Sequence, residues 1–287
     1  MPPDETVGVP AHRGGLLVDD PVLSVGVVQI TSRPSGLDVE LIARRGVPAP
    51  RSPRVLLPPY DEGVDLRVGW LDPSGRAHWE YGSVASDGVM WRTRVYFPAH
   101  YDEVCLLLAW PEIGFPEFTA LLPLPSRPVV ERAAASIWQA PVVMAPVPSH
   151  VRHRPADGRL DAPRIETGRL CAAPRVLARE RDGVVVLTRV TAVDRILALA
   201  VDSLARIGGQ ARPGPWGAGL AVLNDRDAIR LDPHESEASG DEHSFQASTE
   251  YLIERPAAPV LDLIVAWPAI GLTGILATVD LVDPVSL

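Results

Sequence analysis

The sequence predicts an all-β protein made of two tandem, internally repeated antiparallel β-sandwich modules, joined by a short helix and a Pro/Arg-rich connector. Two observations carry this expectation. Stretches far apart in the chain repeat each other in the same order. The apolar segments are short, rich in Val, Leu and Ile, and punctuated by Gly, Pro, Asp and Ser about every ten residues.

The clearest repeat is LLLAWPEIGFPEFTALLPL, residues 106–124, which aligns without a gap to LIVAWPAIGLTGILATVDL, residues 263–281. Trp110, Pro111, Ile113 and Gly114 thereby match Trp267, Pro268, Ile270 and Gly271. Upstream, residues 27–44 align to residues 189–206, and GVDLRV from Gly63 answers GAGLAV from Gly217. The offsets of 162, 154 and 157 residues keep the order while loop lengths vary, as in a duplicated domain.

In order along the chain, residues 1–15 are expected to form a flexible N-terminus and 16–125 the first module. Its candidate strands lie near 22–31, 37–44, 64–71, 77–82, 89–97, 104–110 and 118–124. Residues 126–174 are expected to be the helix and connector. Ser126 is placed to cap a helix reaching Ala140, with Pro128 in its first turn and Val130, Ala133, Ala134, Ile137 and Trp138 on one face. The second module takes 175–287, with strands near 175–180, 184–192, 196–206, 218–223, 228–232, 245–253, 260–267 and 274–281. Asp182-Gly183, between two apolar runs, marks a hairpin turn. About seven short strands per hundred residues resemble the immunoglobulin or fibronectin type III architecture, although the Cys…Trp…Cys spacing of antibody domains is missing.

Composition narrows the function. With 46% hydrophobic and 22% charged residues the chain is globular rather than disordered, and no apolar run reaches the length of a membrane span. The net charge of −9 opposes general nucleic-acid binding, which needs clustered positive charge. All 27 basic residues are Arg, a bias expected of a GC-rich bacterial genome. The start, MPPDETVGVPAHRGG, has acids and prolines where a secretory signal places basic and then apolar residues, so a cytoplasmic address is expected. Cys105 and Cys171 form neither a disulfide framework nor a metal knuckle and are expected to be reduced thiols.

Residues 126–181 hold ten arginines against five acids, +5 in a chain whose remainder carries −14. Arg152, Arg154, Arg159 and Arg164 are therefore candidate contacts for an acidic partner, the bland alternative being a solvated tether. Eleven of the 16 aromatic residues fall within 57–120, which singles out Trp70, Trp79, Tyr81 and Trp91 as candidate binding residues. On an extended HWEYG segment Trp79 and Tyr81 share one face. Facing outward they resemble a platform for a sugar or peptide, and facing inward they are core, the expected state.

The remaining polar clusters are weak. His234 and His243 in HESEASGDEH are candidate metal ligands without a convergent spacing, and this stretch is expected to be a solvated loop, as is Tyr60 to Asp65 with its three acids. The chain contains no GxSxG elbow, phosphate-binding loop or dinucleotide fingerprint, so no cofactor and no catalytic residue are assigned. The leading expectation is a non-catalytic interaction or scaffold protein serving protein partners or a larger assembly, with homo-oligomerisation compatible. A small-molecule or carbohydrate binder using the aromatic face of the first module is the alternative, and a hydrolase whose residues converge only in space is the third reading.

Overall fold

The computed structural model describes residues 6–50, 53–86, 88–155, 168–206, 217–241 and 243–282. The chain is nearly all β, with several antiparallel sheets. It divides into two compact units. The first is built on Gly8–Ala134; the second holds Thr6 and Val7 together with the described residues from Ala135 to Pro155 and from Leu170 onward. No helix among the described residues is long and apolar enough to cross a membrane.

The first unit contains β1 (Val9–Pro10), β2 (Gly15–Asp19), β3 (Leu23–Arg33), β4 (Gly36–Arg45), β5 (Arg67–Leu71), β6 (Ala77–Glu80), β7 (Ser83–Ser86), β8 (Met90–Phe97), β9 (Glu103–Trp110), β10 (Phe115–Pro123) and the helix α1 (Arg127–Ala133). Then follow β11 (Ala145–Pro146), β12 (Arg152–Arg154), β13 (Arg169–Ala172), β14 (Arg175–Glu180), β15 (Gly183–Val193), β16 (Ile196–Arg206), β17 (Gly219–Asn224), β18 (Asp227–Arg230), β19 (Glu235–Gly240), β20 (Ser244–Glu254), β21 (Val260–Trp267) and β22 (Leu272–Asp280). One sheet of the first unit has the order β1-β3-β4-β8-β7 with β2 also on β3, and the other runs β10-β9-β5-β6. The second unit has β13-β15-β16-β20-β19 with β14 also on β15, and β11-β22-β21-β17-β18-β12. Ten strands thus recur in the same order, and β11 and β12 are additions at two edges of the second unit.

Alternation explains these strands. In β4 Leu37, Val39, Leu41 and Ala43 are buried on one face, and with Val25 and Val95 they meet Val68, Leu106, Leu108 and Trp110 of the facing sheet in one core. The second core pairs Leu187, Leu199 and Tyr251 with Leu220, Leu263 and Val265. The continuous run Val184-Val185-Val186-Leu187 in β15 is apolar on both faces for a reason. Val185 and Leu187 enter this core, while Val184 and Val186 pack outward on Ile137 and Ala140.

Each unit turns the same corner after its Trp. Pro111–Ile113 and Pro268–Ile270 form single 3₁₀ turns that end on Gly114 at φ 81° and Gly271 at φ 89°, a left-handed conformation that favours glycine. The preceding tryptophans also share one backbone state, φ −146° and ψ 76° at Trp110, φ −145° and ψ 78° at Trp267. The offset of 157 therefore holds in space, since Trp110 faces Phe115 and Trp267 faces Leu272.

The other two offsets shift. Arg67 faces Ala109 and Gly219 faces Ala266, which aligns β5 with β17 at 152 rather than 154. The hairpins close at Arg33/Gly36 and Val193/Ile196, which aligns β3 and β4 with β15 and β16 at 160 rather than 162. Both errors are two residues. A two-residue slip leaves every side chain on its original face, so an alternating pattern scores nearly as well in either register.

Several boundaries also differ from expectation. The N-terminal segment is paired rather than free: Thr6 bridges to Ser136, and β1 and β2 both lie on β3, with Pro10 and Ala11 buried. The predicted helix over 126–140 stops at Ala133, and Ser126 makes no side-chain capping bond. Val130 buries in the first unit, whereas Ile137 buries beneath β15 in the second. The hairpin before β15 turns on Arg181-Asp182, because Gly183 already pairs with Glu180. The connector is partly strand: β12 runs parallel to β18, Arg154 lies 3.3 Å from Asp227, and β13 begins at Arg169. HESEASGDEH contributes the edge strand β19 rather than a loop, its exposed acids being of a kind that discourages further pairing.

Two measurements check this account of the corner. Trp110→Ala and Trp267→Ala are each expected to cost about 3 to 5 kcal/mol in denaturant unfolding, the range for emptying a large aromatic core site. Gly271→Ala should cost only the left-handed penalty of about 1–2 kcal/mol, since nothing lies within 4 Å of an added Cβ. Gly114→Ala should cost clearly more, because its Cβ would sit 2.3 Å from the Ala49 carbonyl oxygen.

Candidate functional site

The aromatic segment of the first unit is organised from below by the corner. The indole N–H of buried Trp110 donates to the Val64 carbonyl at 3.1 Å, and the Glu112 N–H donates to the Gly63 carbonyl at 3.2 Å. These bonds fix the chain just ahead of β5. Further back, the Glu117 carboxylate on β10 accepts the backbone N–H groups of Val55, Leu56 and Leu57 at 2.9, 2.7 and 2.6 Å. The segment from Pro53 to Leu66 is thereby strapped to the sheet at both ends.

Asp61 stands at its centre. Its side chain is only 2% exposed, contrary to the solvated loop expected there. The carboxylate accepts Arg67 Nε at 3.0 and 2.9 Å, the Gly63 N–H at 2.7 Å and the Tyr81 hydroxyl at 3.0 Å, and Arg54 donates to the Asp61 carbonyl. Burial pushes this carboxyl upward, but the Arg67, Gly63 and Tyr81 donors outweigh it and hold the pKa below the ordinary value. Burial first, and the Asp61 carboxylate second, hold the Tyr81 phenol above its ordinary value, which keeps it a donor. A satisfied buried charge of this kind is a rigid joint, because removing either partner strands the other.

What the joint presents is aromatic and apolar. Tyr81 is 63% exposed with Arg67 5.7 Å from its ring centroid, and Tyr60, next to Asp61, is 82% exposed. Val55 and Val64 of the strap and Val84 of β7 are also exposed. Tyr60 falls in the stretch expected to be a solvated loop, but VLLPPYD, which leads into the acids, is too apolar for an ordinary solvated loop.

The structure separates the aromatic candidates. Trp79 and Tyr81 follow the alternation, but Trp79 is half-buried and its indole N–H donates to the Leu56 carbonyl at 3.0 Å, so the strap covers it. Trp70 faces the core and stacks on His78, with centroids 4.2 Å apart and planes 9° apart, while His78 bonds Asp72 at 3.0 Å. Trp91 is 7% exposed and meets Trp110 edge to face at 4.8 Å, which removes it from any ligand surface. These four residues do not form a flat platform.

The other candidates lie apart from this surface. Arg152 and Arg154 are on β12, and Arg159 and Arg164 lie outside the described residues. His234 precedes β19 and His243 follows it. Among the described residues no three His, Cys, Asp or Glu side chains converge as metal ligands. Cys105 and Cys171 are free thiols, and burial raises the Cys171 pKa.

No protein-family model matches the chain, and no curated protein matches it in sequence. Among solved structures, a conserved domain protein from Bacillus anthracis aligns over 92% of this chain and 79% of its own, at 9% identity and a TM-score of 0.24. The CupB6 tip adhesin from Pseudomonas aeruginosa aligns over 94% of this chain and 98% of its own, at 12% identity and a TM-score of 0.11. At such scores neither likeness bears on fold or function.

The buried Asp61 makes stability depend on pH with a definite sign. A depressed carboxyl pKa stabilises the fold above the unfolded-state value, and that contribution is lost as pH falls through the folded value. Asp61→Asn is expected to lower unfolding stability at pH 7 by about 3 kcal/mol. The gap between variant and wild type should shrink as pH is taken below about 4. A gap constant from pH 7 to pH 2.5 would contradict the ionised, buried assignment.

Proposed function

We infer that the chain is a non-catalytic protein-interaction module, built from two related β-sandwiches of immunoglobulin- or fibronectin type III-like architecture. Its partner face is the strapped surface of the first unit. The recurring strand order and the shared Trp-Pro-x-Ile-Gly corner support the architectural part. The single observation that carries the functional part is that exposed Tyr81 is held by a buried ion pair, with exposed Tyr60 next to the Asp61 of that pair in the chain.

Tyrosine suits this role physically. It offers a large amphipathic surface with few rotatable bonds, and protein interfaces concentrate their energy in Tyr, Trp and Arg. Rigidity before contact spares the ordering cost that a mobile side chain incurs on binding. The bonds from Asp61 to Arg67, Gly63 and Tyr81 supply that rigidity here, while Val55, Val64 and Val84 add exposed apolar area of the kind a partner covers. The burial of Trp91 and the strap over Trp79 favour this reading over sugar stacking.

A photo-crosslinking residue at position 60 or 84 is expected to trap the same discrete partner in host cells, whereas one at Ser239 on β19 should not. Tyr60→Ala with Tyr81→Ala should weaken binding of that partner, once purified, by about 100-fold, as expected for two interface anchors. Asp61→Asn should weaken it less. Affinity unchanged by the double variant, or equal trapping from Ser239, would overturn the assignment of this face.

A further inference from the structure

In the second unit, the outer face of β14–β16 carries a cavity of about 400 Å³ lined by Trp138, Arg179, Glu180, Arg181 and Arg206. It exists because the segment after α1 docks Ile137 and Ala140 onto Val184 and Val186, which sets Trp138 beside the β14–β15 hairpin and the end of β16. Three arginines face one glutamate in a chain of net charge −9. The geometry points to a binding site for a small oxyanion, a phosphate ester or carboxylate, held between these guanidinium groups and the Trp138 indole.

Three observations support it. Arg179 is fixed from behind, its Nη1 donating to the carbonyls of Ile137 at 3.2 Å and Ala140 at 2.9 Å, so its plane is set before a ligand arrives. The Arg206 guanidinium lies 4.0 Å from the Trp138 ring centroid, a cation–π contact that holds a second positive charge at the cavity wall. The Trp138 Nε1 is buried without a hydrogen-bond partner among the described residues. A buried donor left unsatisfied costs roughly 1–3 kcal/mol, and this one sits in a ring that lines the cavity.

The remaining features suit a small ligand rather than a chance cluster. Arg181, in the tight turn of the hairpin, has no hydrogen-bond or ion-pair partner among the described residues. A planar guanidinium fork matches carboxylate and phosphate oxygens in pairs. Glu180 on the rim opposes the anion and sets a limit on how much negative charge enters.

The test uses the full chain at constant ionic strength, so that general screening does not mimic binding. Inorganic phosphate, glycerol 3-phosphate and succinate are titrated separately while the indole N–H resonances are followed, that of Trp138 being assigned by its loss in Trp138→Phe. At least one probe is expected to shift the Trp138 N–H saturably, with the other tryptophans unmoved. The phosphate and succinate arms distinguish the two ligand sources. Arg181→Gln should weaken that binding about 10-fold or more, in line with losing a charged hydrogen bond. Absence of a saturable shift with all three probes would overturn the site. So would equal affinity in the Arg181→Gln protein, shown to be folded by an unchanged spectrum elsewhere.

Discussion

A tryptophan buried at the end of a central strand brings with it a polar N–H that must find an acceptor in a dry interior. In the first unit Trp110 takes the Val64 carbonyl, and that one bond draws the crossing segment onto the sheet. Pro111 then ends strand pairing because it has no N–H to donate, and Gly114 supplies the left-handed residue that lets β10 return beside β9. With the segment held there, Asp61 is buried where Arg67 reaches it, and Tyr81 is anchored in turn. The exposed surface is a consequence of the corner.

The second unit holds the corresponding crossing chain with other groups. The ring beside Trp267 is Phe245 at 5.9 Å, in place of the edge-to-face Trp91 at 4.8 Å. Ser203 accepts the Ala218 N–H, and the Tyr251 hydroxyl, whose pKa burial pushes up to about 12, donates to the Ala218 carbonyl. The Trp267 Nε1 has no acceptor among the described residues. A core held by hydroxyl-to-backbone bonds spends its polar groups inward. The first unit instead ties its polar groups to a strap whose far side faces solvent.

The edges diverge in the same way. In the second unit β11 lies on β22 and β12 on β18, which covers the two ends of that sheet. The equivalent edges of the first unit, β10 and β6, have no such neighbour among the described residues. Exposed edges invite pairing unless something blunts them, and β10 carries a proline near each end, Pro116 and Pro123. The outer faces are also treated differently: α1 lies against β3 in the first unit, and Ile137 with Ala140 lies against β15 in the second. From this second arrangement comes the arginine-lined cavity, so one unit carries the aromatic surface and the other the cationic one.

What the sequence determined by itself was local: the strands with strict alternation, such as β4 and β16, and the Trp-Pro-x-Ile-Gly corners, because period and backbone φ limits act within a few residues. It placed β5 and β17 two residues out of register, since alternation distinguishes faces and not steps of two along a face. It missed β1, β2, β7, β11, β12 and β13, which are too short to show a clear period, and β19, whose exposed side chains are polar. It took Asp61 for a solvated acid and singled out Trp91 as a candidate binding residue. Only the tertiary structure decided those two, because burial is set by which distant groups arrive: Arg67 and Tyr81 around Asp61, and Trp110 against Trp91. The same holds for Trp138, Arg179, Arg181 and Arg206, which are scattered over nearly seventy residues and share a cavity only because Ile137 finds its place beneath β15.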